Sequence, residues 1–253
     1  MADSASALTE GTGGGEAPRT GVARTAAVTG GLLVAALAGT ALASLATVNL
    51  VGSDASGTST FVVAAVGTEL CFLLVGAAYL RSRSSFHLPL RPPARSAAPV
   101  LIGGLLASFL TAFLSLAVTD AVVPALELSP GYMEYSELGG LTGAGLVIGA
   151  GLSLLVIGPV EEFFFRGVIQ GRLREALGPA GAVATAGASF ALFHVYPVAL
   201  LSPPPAAIVH MATYYTLMGA IFGWVYHRTD TLVAPALVHG TFNAAVFSLP
   251  LLG

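Results

Sequence analysis

Charge is scarce in this sequence. Of 253 residues only 9% are Asp, Glu, Lys or Arg, while 55% are hydrophobic. Soluble domains carry about 25% charged residues, so a water-soluble fold is excluded. Lysine is absent, and all ten basic residues are arginine, which we read as genomic base composition and not as function. The single cysteine, Cys71, excludes an intrachain disulfide and any cysteine-rich metal site. It lies in an apolar run and reads as a buried, inert thiol. Internal repeats are also missing, and no nucleic-acid partner is expected.

What remains is hydrocarbon-length apolar sequence, with a mean hydropathy of +0.83. A helix needs about 20 apolar residues to cross a bilayer. Seven stretches qualify: about 25–51, 60–80, 97–118, 143–171, 180–200, 206–226 and 232–251. The expected fold is all-α, a polytopic transmembrane bundle of about seven spans with a polar cavity inside it. The fourth span contains Pro159, where a kink or tilt is expected. Residues 1–24, rich in Ala, Ser, Gly and Thr, cannot bury a core and read as a disordered tail. The apolar run after them is too long and starts too late for a signal peptide. Residues 120–140 hold Pro124, Pro130, Glu127, Glu134 and Glu137 and read as an exposed loop with a short interfacial helix.

Arginine placement sets the expected orientation. Arg19, Arg24, Arg81, Arg83, Arg91, Arg95, Arg172, Arg174 and Arg228 fall on one side of a seven-span arrangement. The opposite loops hold Asp54, Asp120 and three glutamates but no arginine. The N-terminus is therefore expected in the cytoplasm and the C-terminus outside, in a cell-membrane protein surrounded by lipid. Trp224 and Tyr226 read as an interfacial belt, His87 and His227 as surface residues, and Pro203-Pro204-Pro205 as an external turn.

Arg166 is the arginine left within a span, and it is not alone there. The run Gly158-Pro159-Val160-Glu161-Glu162-Phe163-Phe164-Phe165-Arg166 places two carboxylates and a guanidinium in apolar sequence. Ionisable groups at such depth cost several kcal/mol and mark functional sites. Glu162 and Arg166, four residues apart, share a helix face and can pair. An ion pair explains those two but gives no reason for Glu161. A second cluster, Phe190-Ala191-Leu192-Phe193-His194, lies in the fifth span, and a third, His239-Gly240-Thr241-Phe242-Asn243, in the last. Taken singly, His194 reads as a core histidine bonded to a carbonyl, and His239 with Asn243 as hydrogen-bond glue between helices. Taken together they read as a site. Glu69, His210 and Tyr214 are weaker candidates, and Ser189 lies one step off the Phe190/His194 face. No serine or cysteine sits where a covalent mechanism would need it.

In this order, each on its own helix, the three clusters resemble the CPBP family, which includes the type II CAAX prenyl endopeptidases and bacterial Abi proteins linked to bacteriocin self-immunity. The family pattern is Glu-Glu-x-x-x-Arg, Phe-x-x-x-His and His-x-x-x-Asn or Asp, filled here by Glu161, Glu162, Arg166, Phe190, His194, His239 and Asn243. The resemblance covers about residues 143–245. It implies an intramembrane peptidase with a cavity reached from the cytosolic side, acting on a peptide or lipidated-protein substrate. By the same resemblance Glu161 and His194 would activate water, and His239 and Asn243 would hold the oxyanion. Glu162, Arg166 and Phe190 would support them. The expected organisation is a tail over 1–24, three membrane helices and an external loop over 25–140, and a catalytic core over 141–253.

The residues allow that chemistry. A buried carboxylate can take a proton from water, an imidazole can orient the water, and an amide can donate to an oxyanion. A metal route is also open at this level. Glu161, His194 and His239 would give a divalent ion such as zinc three ligands and an open position, although the His-Glu-x-x-His signature is absent. Two rival readings use the same groups. One is a non-proteolytic membrane scaffold or immunity-type protein that binds a partner in the cavity. The other is a proton-coupled carrier relaying through Glu161, Glu162 and His194, which the lack of paired halves disfavours.

Overall fold

A computed structural model describes residues 17–51, 56–83, 88–125, 141–200 and 202–252, and among these it contains helices and no strand. Three long helices come first: α1 (Ala17–Val51), α2 (Gly57–Arg81) and α3 (Ala98–Ala125). The chain then runs through α4 (Ala144–Leu152), α5 (Gly158–Glu162) and α6 (Gly171–Ala199), and ends with α7 (Pro205–Thr229) and α8 (Val233–Ser248). Residues Ser153–Ile157 and Phe163–Gln170, on either side of α5, are π-helical. The fold is the expected helical bundle.

Among the described residues, five helical runs are long and apolar enough to cross a membrane: Gly21–Val51, Gly57–Arg81, Arg95–Ala121, Ala144–Ala199 and Pro205–Thr229. The expected count of about seven is therefore not confirmed. The fourth and fifth expected spans form one 56-residue run, turned at Gly178, whose φ of 67° departs from the helix. The last expected span coincides with α8, which has 16 residues against the roughly 20 that hydrocarbon demands. α1 begins at Ala17, ahead of the expected start near 25. The rest of the tail, His87 and residues 126–140 of the expected loop lie outside the described residues.

Pro159 does not break the helix. Its ring and missing N–H are incompatible with a regular α-helical interior, and the chain meets it with a π turn. The Gly158 N–H donates to the Ser153 carbonyl five residues back, and Pro159 falls in the first turn of α5. The wider turn also changes which side chains of this helix face inward. π turns of this kind occur often at functional sites.

Two close helix crossings position the site. α6 and α7, the most extensively paired helices, meet at Gly187 and Gly219, where a Cβ on Gly219 would lie 2.8 Å from the Gly187 Cα. α5 and α8 meet at Gly158 and Gly240, where a Cβ on Gly240 would lie 2.8 Å from the Ser153 carbonyl oxygen. Small residues let backbones approach in this way where no water drives helices together. Around these crossings the core is aromatic. Phe72 of α2 stacks on Phe164 at 4.9 Å and meets Phe165 and Phe193 edge-on at 5.3 and 5.1 Å.

Polar clips close one end of the bundle. Arg83 pairs with Glu175 at 2.9 Å, and Arg172 pairs with the same carboxylate. Arg91 pairs with Asp230 at 3.2 Å, and the Leu232 N–H donates to the Pro89 carbonyl at 2.9 Å. His227 is exposed, as expected. Trp224 is exposed too, whereas Tyr226, expected in the same interfacial belt, is buried.

The Gly240 crossing gives a direct test. Gly240→Ala should lower thermal stability in detergent by about 1–3 kcal/mol, because backbone has to move. Gly151→Ala, with nothing within 4 Å of the new methyl, should be neutral or gain up to about 1 kcal/mol from helix propensity. Equal behaviour of the two variants would contradict the crossing.

Candidate active site

Glu162 and Arg166 pair as their spacing requires, with Arg166 Nε 2.9 Å from Glu162 Oε2 and both side chains fully buried. The N–H does not aim at the oxygen, so the contact is an ion pair and not a formed hydrogen bond. The rest of the guanidinium faces rings: its carbon lies 5.1 Å from the centre of Phe190, 5.6 Å from Phe222 and 5.8 Å from Phe165. Desolvated cation–π contacts of this kind contribute up to about 2 kcal/mol each. Phe190 is thus a wall of the arginine box.

His239 joins this pair from α8. Its Nδ1 lies 3.0 Å from Glu162 Oε1, and since a carboxylate accepts, the ring nitrogen donates. Its Nε2 faces Glu161 Oε2 at 3.7 Å. The ring is stacked on Phe222 of α7, centroids 4.4 Å apart and planes 16° from parallel. Glu161 is 7% exposed, and its Oε2 is buried without a hydrogen-bond partner. The two glutamates therefore differ. Glu162 has a partner within 3.0 Å at each oxygen, one ionic and one hydrogen-bonded, whereas Glu161 Oε2 has only the longer 3.7 Å contact to His239.

His194 is held by its own helix. Its Nδ1 donates to the Phe190 carbonyl at 3.0 Å, which leaves Nε2 as the nitrogen facing outward from that bond. The ring lies between Phe190 and Tyr215, each 4.3 Å away by centroid. His194, His239, Asn243, Phe190 and Phe222 line one cavity of about 40 Å³, room for a water molecule and little more. Glu161 meets this cavity through His239, and its charge acts electrostatically on His194 as well. All seven expected residues thus lie in one neighbourhood, with Glu162 and Arg166 behind the histidines. Ser189 bonds to the Thr185 carbonyl and takes no part.

The metal arrangement does not fit. Zinc needs three donors about 2.0–2.2 Å from one point. Among the described residues no group of three His, Cys, Asp or Glu is placed to hold an ion. The Nδ1 contacts of His239 and His194 leave each Nε2 as the nitrogen that could ligate, but as placed the three side chains do not converge on one point. The set Glu161, His194 and His239 is therefore not a ligand set here.

Two features were not visible in the sequence, and one weaker candidate, Glu69, has an acidic neighbour that the sequence did not show. Tyr215, Met218 and Phe222 supply the α7 wall of the cavity, and their spacing of three and four residues was the available signal. Gln170, fully buried, continues the Glu162–Arg166 stripe and donates to the Gly223 carbonyl at 3.0 Å. Glu69 of α2, 5% exposed, lies close enough to Glu161 for the two charges to interact.

A bundle of membrane-length apolar helices that encloses carboxylates, imidazoles and a guanidinium is an integral membrane protein with a buried polar site. Residues 143–245 match the family model described as Type II CAAX prenyl endopeptidase Rce1-like. The match spans α4 to α8 and contains all three motifs. No curated protein and no solved structure matches the chain.

The buried ion pair should behave as a unit. Arg166→Met alone leaves Glu162 charged in an apolar box and should cost about 3–5 kcal/mol of stability. Adding Glu162→Gln should recover a large part of that loss, read as melting temperature by size-exclusion after heating. Additive losses would mean that the two side chains do not pair.

Proposed function

We propose that the chain is an integral-membrane endopeptidase that hydrolyses a peptide bond of a peptide or prenylated-protein substrate, using water activated by Glu161 and His194. The observation that carries this reading is that two imidazoles and an amide from α6 and α8 line one cavity, with the Glu161 carboxylate of α5 at 3.7 Å from the His239 ring. The Rce1-like match supports the same class of activity.

The geometry suggests a division of labour. Water in the cavity gives a proton to Glu161, the carboxylate with an unengaged oxygen, while the Nε2 lone pair of His194 orients it. Hydroxide adds to the scissile carbonyl, and the new oxyanion accepts from the Asn243 amide and from Nε2–H of His239 in its protonated form, whose Nδ1–H stays on Glu162. The proton then passes to the amide nitrogen, the C–N bond breaks, and an acid and an amine leave. Glu162 fixes the His239 ring through Nδ1, and Arg166 balances Glu162. A cavity of about 40 Å³ admits water but not a peptide, so substrate entry requires side chains of α6, α7 or α8 to move. We further infer that the end closed by Arg83, Arg91 and Arg172 faces the cytosol, because positively charged ends stay inside.

Cleavage assays with purified protein test the reading. Glu161→Gln and His194→Asn should reduce peptide cleavage below detection while the protein still inserts and purifies as a single species. Retention of full activity by both would sink the proposal, and a scaffold or immunity-type protein would lose no binding in either variant. Asn243→Ala should lower kcat by about 10²–10³, the effect of one oxyanion donor, with KM changed far less. A change confined to KM would place Asn243 in binding instead.

A further inference from the structure

Glu162, Arg166 and Gln170 follow one another at four-residue intervals, and all three are fully buried. Glu162 and Arg166 already have a part in the site, and Gln170 has none so far. Its Nε2 donates to the Gly223 carbonyl of α7 at 3.0 Å, across 53 residues of chain. The contact is built from both sides. A Cβ at position 223 would lie 2.7 Å from Gln170 Oε1, so glycine there is what lets the amide reach the α7 backbone. The same Oε1 is buried without a hydrogen bond, and such an atom is costly in an apolar interior. A methionine would fill the space without that cost. Packing alone therefore gives no reason for an amide at this position.

Beside Gly223 stands Phe222, whose backbone the bond holds in place. The Phe222 ring is stacked on His239, centroids 4.4 Å apart and planes 16° from parallel, and it also walls the Arg166 guanidinium at 5.6 Å. His239 is thus gripped twice from one helical stripe. Glu162 takes the ring edge directly, by the 3.0 Å bond from Nδ1. Gln170 acts on the ring face, through Gly223 and Phe222. The edge bond fixes where Nδ1 lies but sets the plane of the ring only loosely. Stacking on Phe222 sets that plane, and with it the direction of Nε2.

We propose that Gln170 is a positioning residue for His239, acting through Phe222 to set the plane of the imidazole and so the aim of Nε2. This rests on the role given to His239 in hydrolysis and adds what keeps that ring in register.

Two readouts test it, one of them independent of cleavage. In full-length protein with isotope-labelled histidine, held in nanodiscs, the Nδ1–H proton of His239 is identified as the low-field NMR signal that His239→Gln removes. Because the Phe222 ring lies against the imidazole, Phe222→Leu moves this signal and sets the direction of the change. Gln170→Met keeps the volume, removes the donor and should move the signal the same way. A signal left at its wild-type position overturns the proposal. Should Gln170→Met not fold, Gly223→Ala probes the same bond from α7, because its methyl displaces the amide, and the same criterion applies. Gly145→Ala, crowded by Thr58 at the start of α4, lowers stability and should leave the signal in place. A shift there as well would mean that the signal reports loosened packing only, and would overturn the proposal too. In cleavage assays Gln170→Met should lower kcat about tenfold to a hundredfold, the effect of a slightly misplaced group, with KM nearly unchanged. Adding it to Phe222→Leu should cost little more, since the two act along one path. A loss confined to KM, or losses that multiply in the double variant, also overturns it. If the wild-type protein cleaves no peptide, the endopeptidase reading fails, while the His239 signal still decides whether Gln170 holds the ring.

Discussion

The buried carboxylate of Glu162 is the contact on which the other arrangements depend. One oxygen faces Arg166 at 2.9 Å and the other takes a hydrogen bond from His239 at 3.0 Å. Each of these groups would be costly in an apolar interior without the others. Together they tie three helical segments: α5, the π-helical stretch that carries Arg166, and α8. The Gly158–Gly240 crossing makes the tie possible, because only a side-chain-free contact brings α8 near enough for His239 to reach across. The arginine then needs a container for the rest of its guanidinium. Phe165, Phe190 and Phe222 supply one from three different segments. The aromatic core and the polar site are thus built around the same groups.

The π turns serve this arrangement. A chain that has to carry Pro159, two glutamates and three phenylalanines in succession cannot place all of them well on a regular 3.6-residue helix. The first π turn lets the chain pass Pro159 without a break. Along the second, Phe164, Phe165, Arg166 and Gln170 are all buried, a wider inward face than one stripe of an α-helix provides. Phe164 and Phe165 join the core against Phe72 and Phe193, while Arg166 turns to the site.

How much of this was legible in the sequence follows from the kind of interaction involved. Local spacing was enough for the Glu162–Arg166 pair, because four residues bring side chains together whether the turn is α or slightly wider. The neighbourhood of Glu161, His194, His239 and Asn243 was legible only through the ordered motifs, since helix packing has no local signature. The π turns were not legible, and Pro159 pointed only to some irregularity. The break between the fourth and fifth expected spans was legible, because Gly178-Pro179 suits the end of one helix and the start of the next, and Gly178 does leave the helix there. The stacking of Tyr215 on His194 and of Phe222 on His239 was missed because a tyrosine and a phenylalanine on an apolar helix look like core. Glu69 was visible as a lone acid, but its neighbour Glu161 comes from another helix.

Under the proposed hydrolysis, the presence of two adjacent glutamates, which an ion pair alone could not explain, has a physical reason in this geometry. A carboxylate that holds a guanidinium and an imidazole has both oxygens committed, so it cannot also take a proton from water without releasing one of them. Glu162 is such a group. Glu161, one residue earlier, points to a different side of the same helix, keeps Oε2 unpartnered, and faces His239 at 3.7 Å, a distance slightly too long for a hydrogen bond. Structural fixation and proton transfer place opposite demands on a carboxylate, full engagement in one case and an open lone pair in the other. A single buried acid cannot meet both demands, and neighbours on one turn can, because the same ion pair that fixes Glu162 also fixes the backbone from which Glu161 projects.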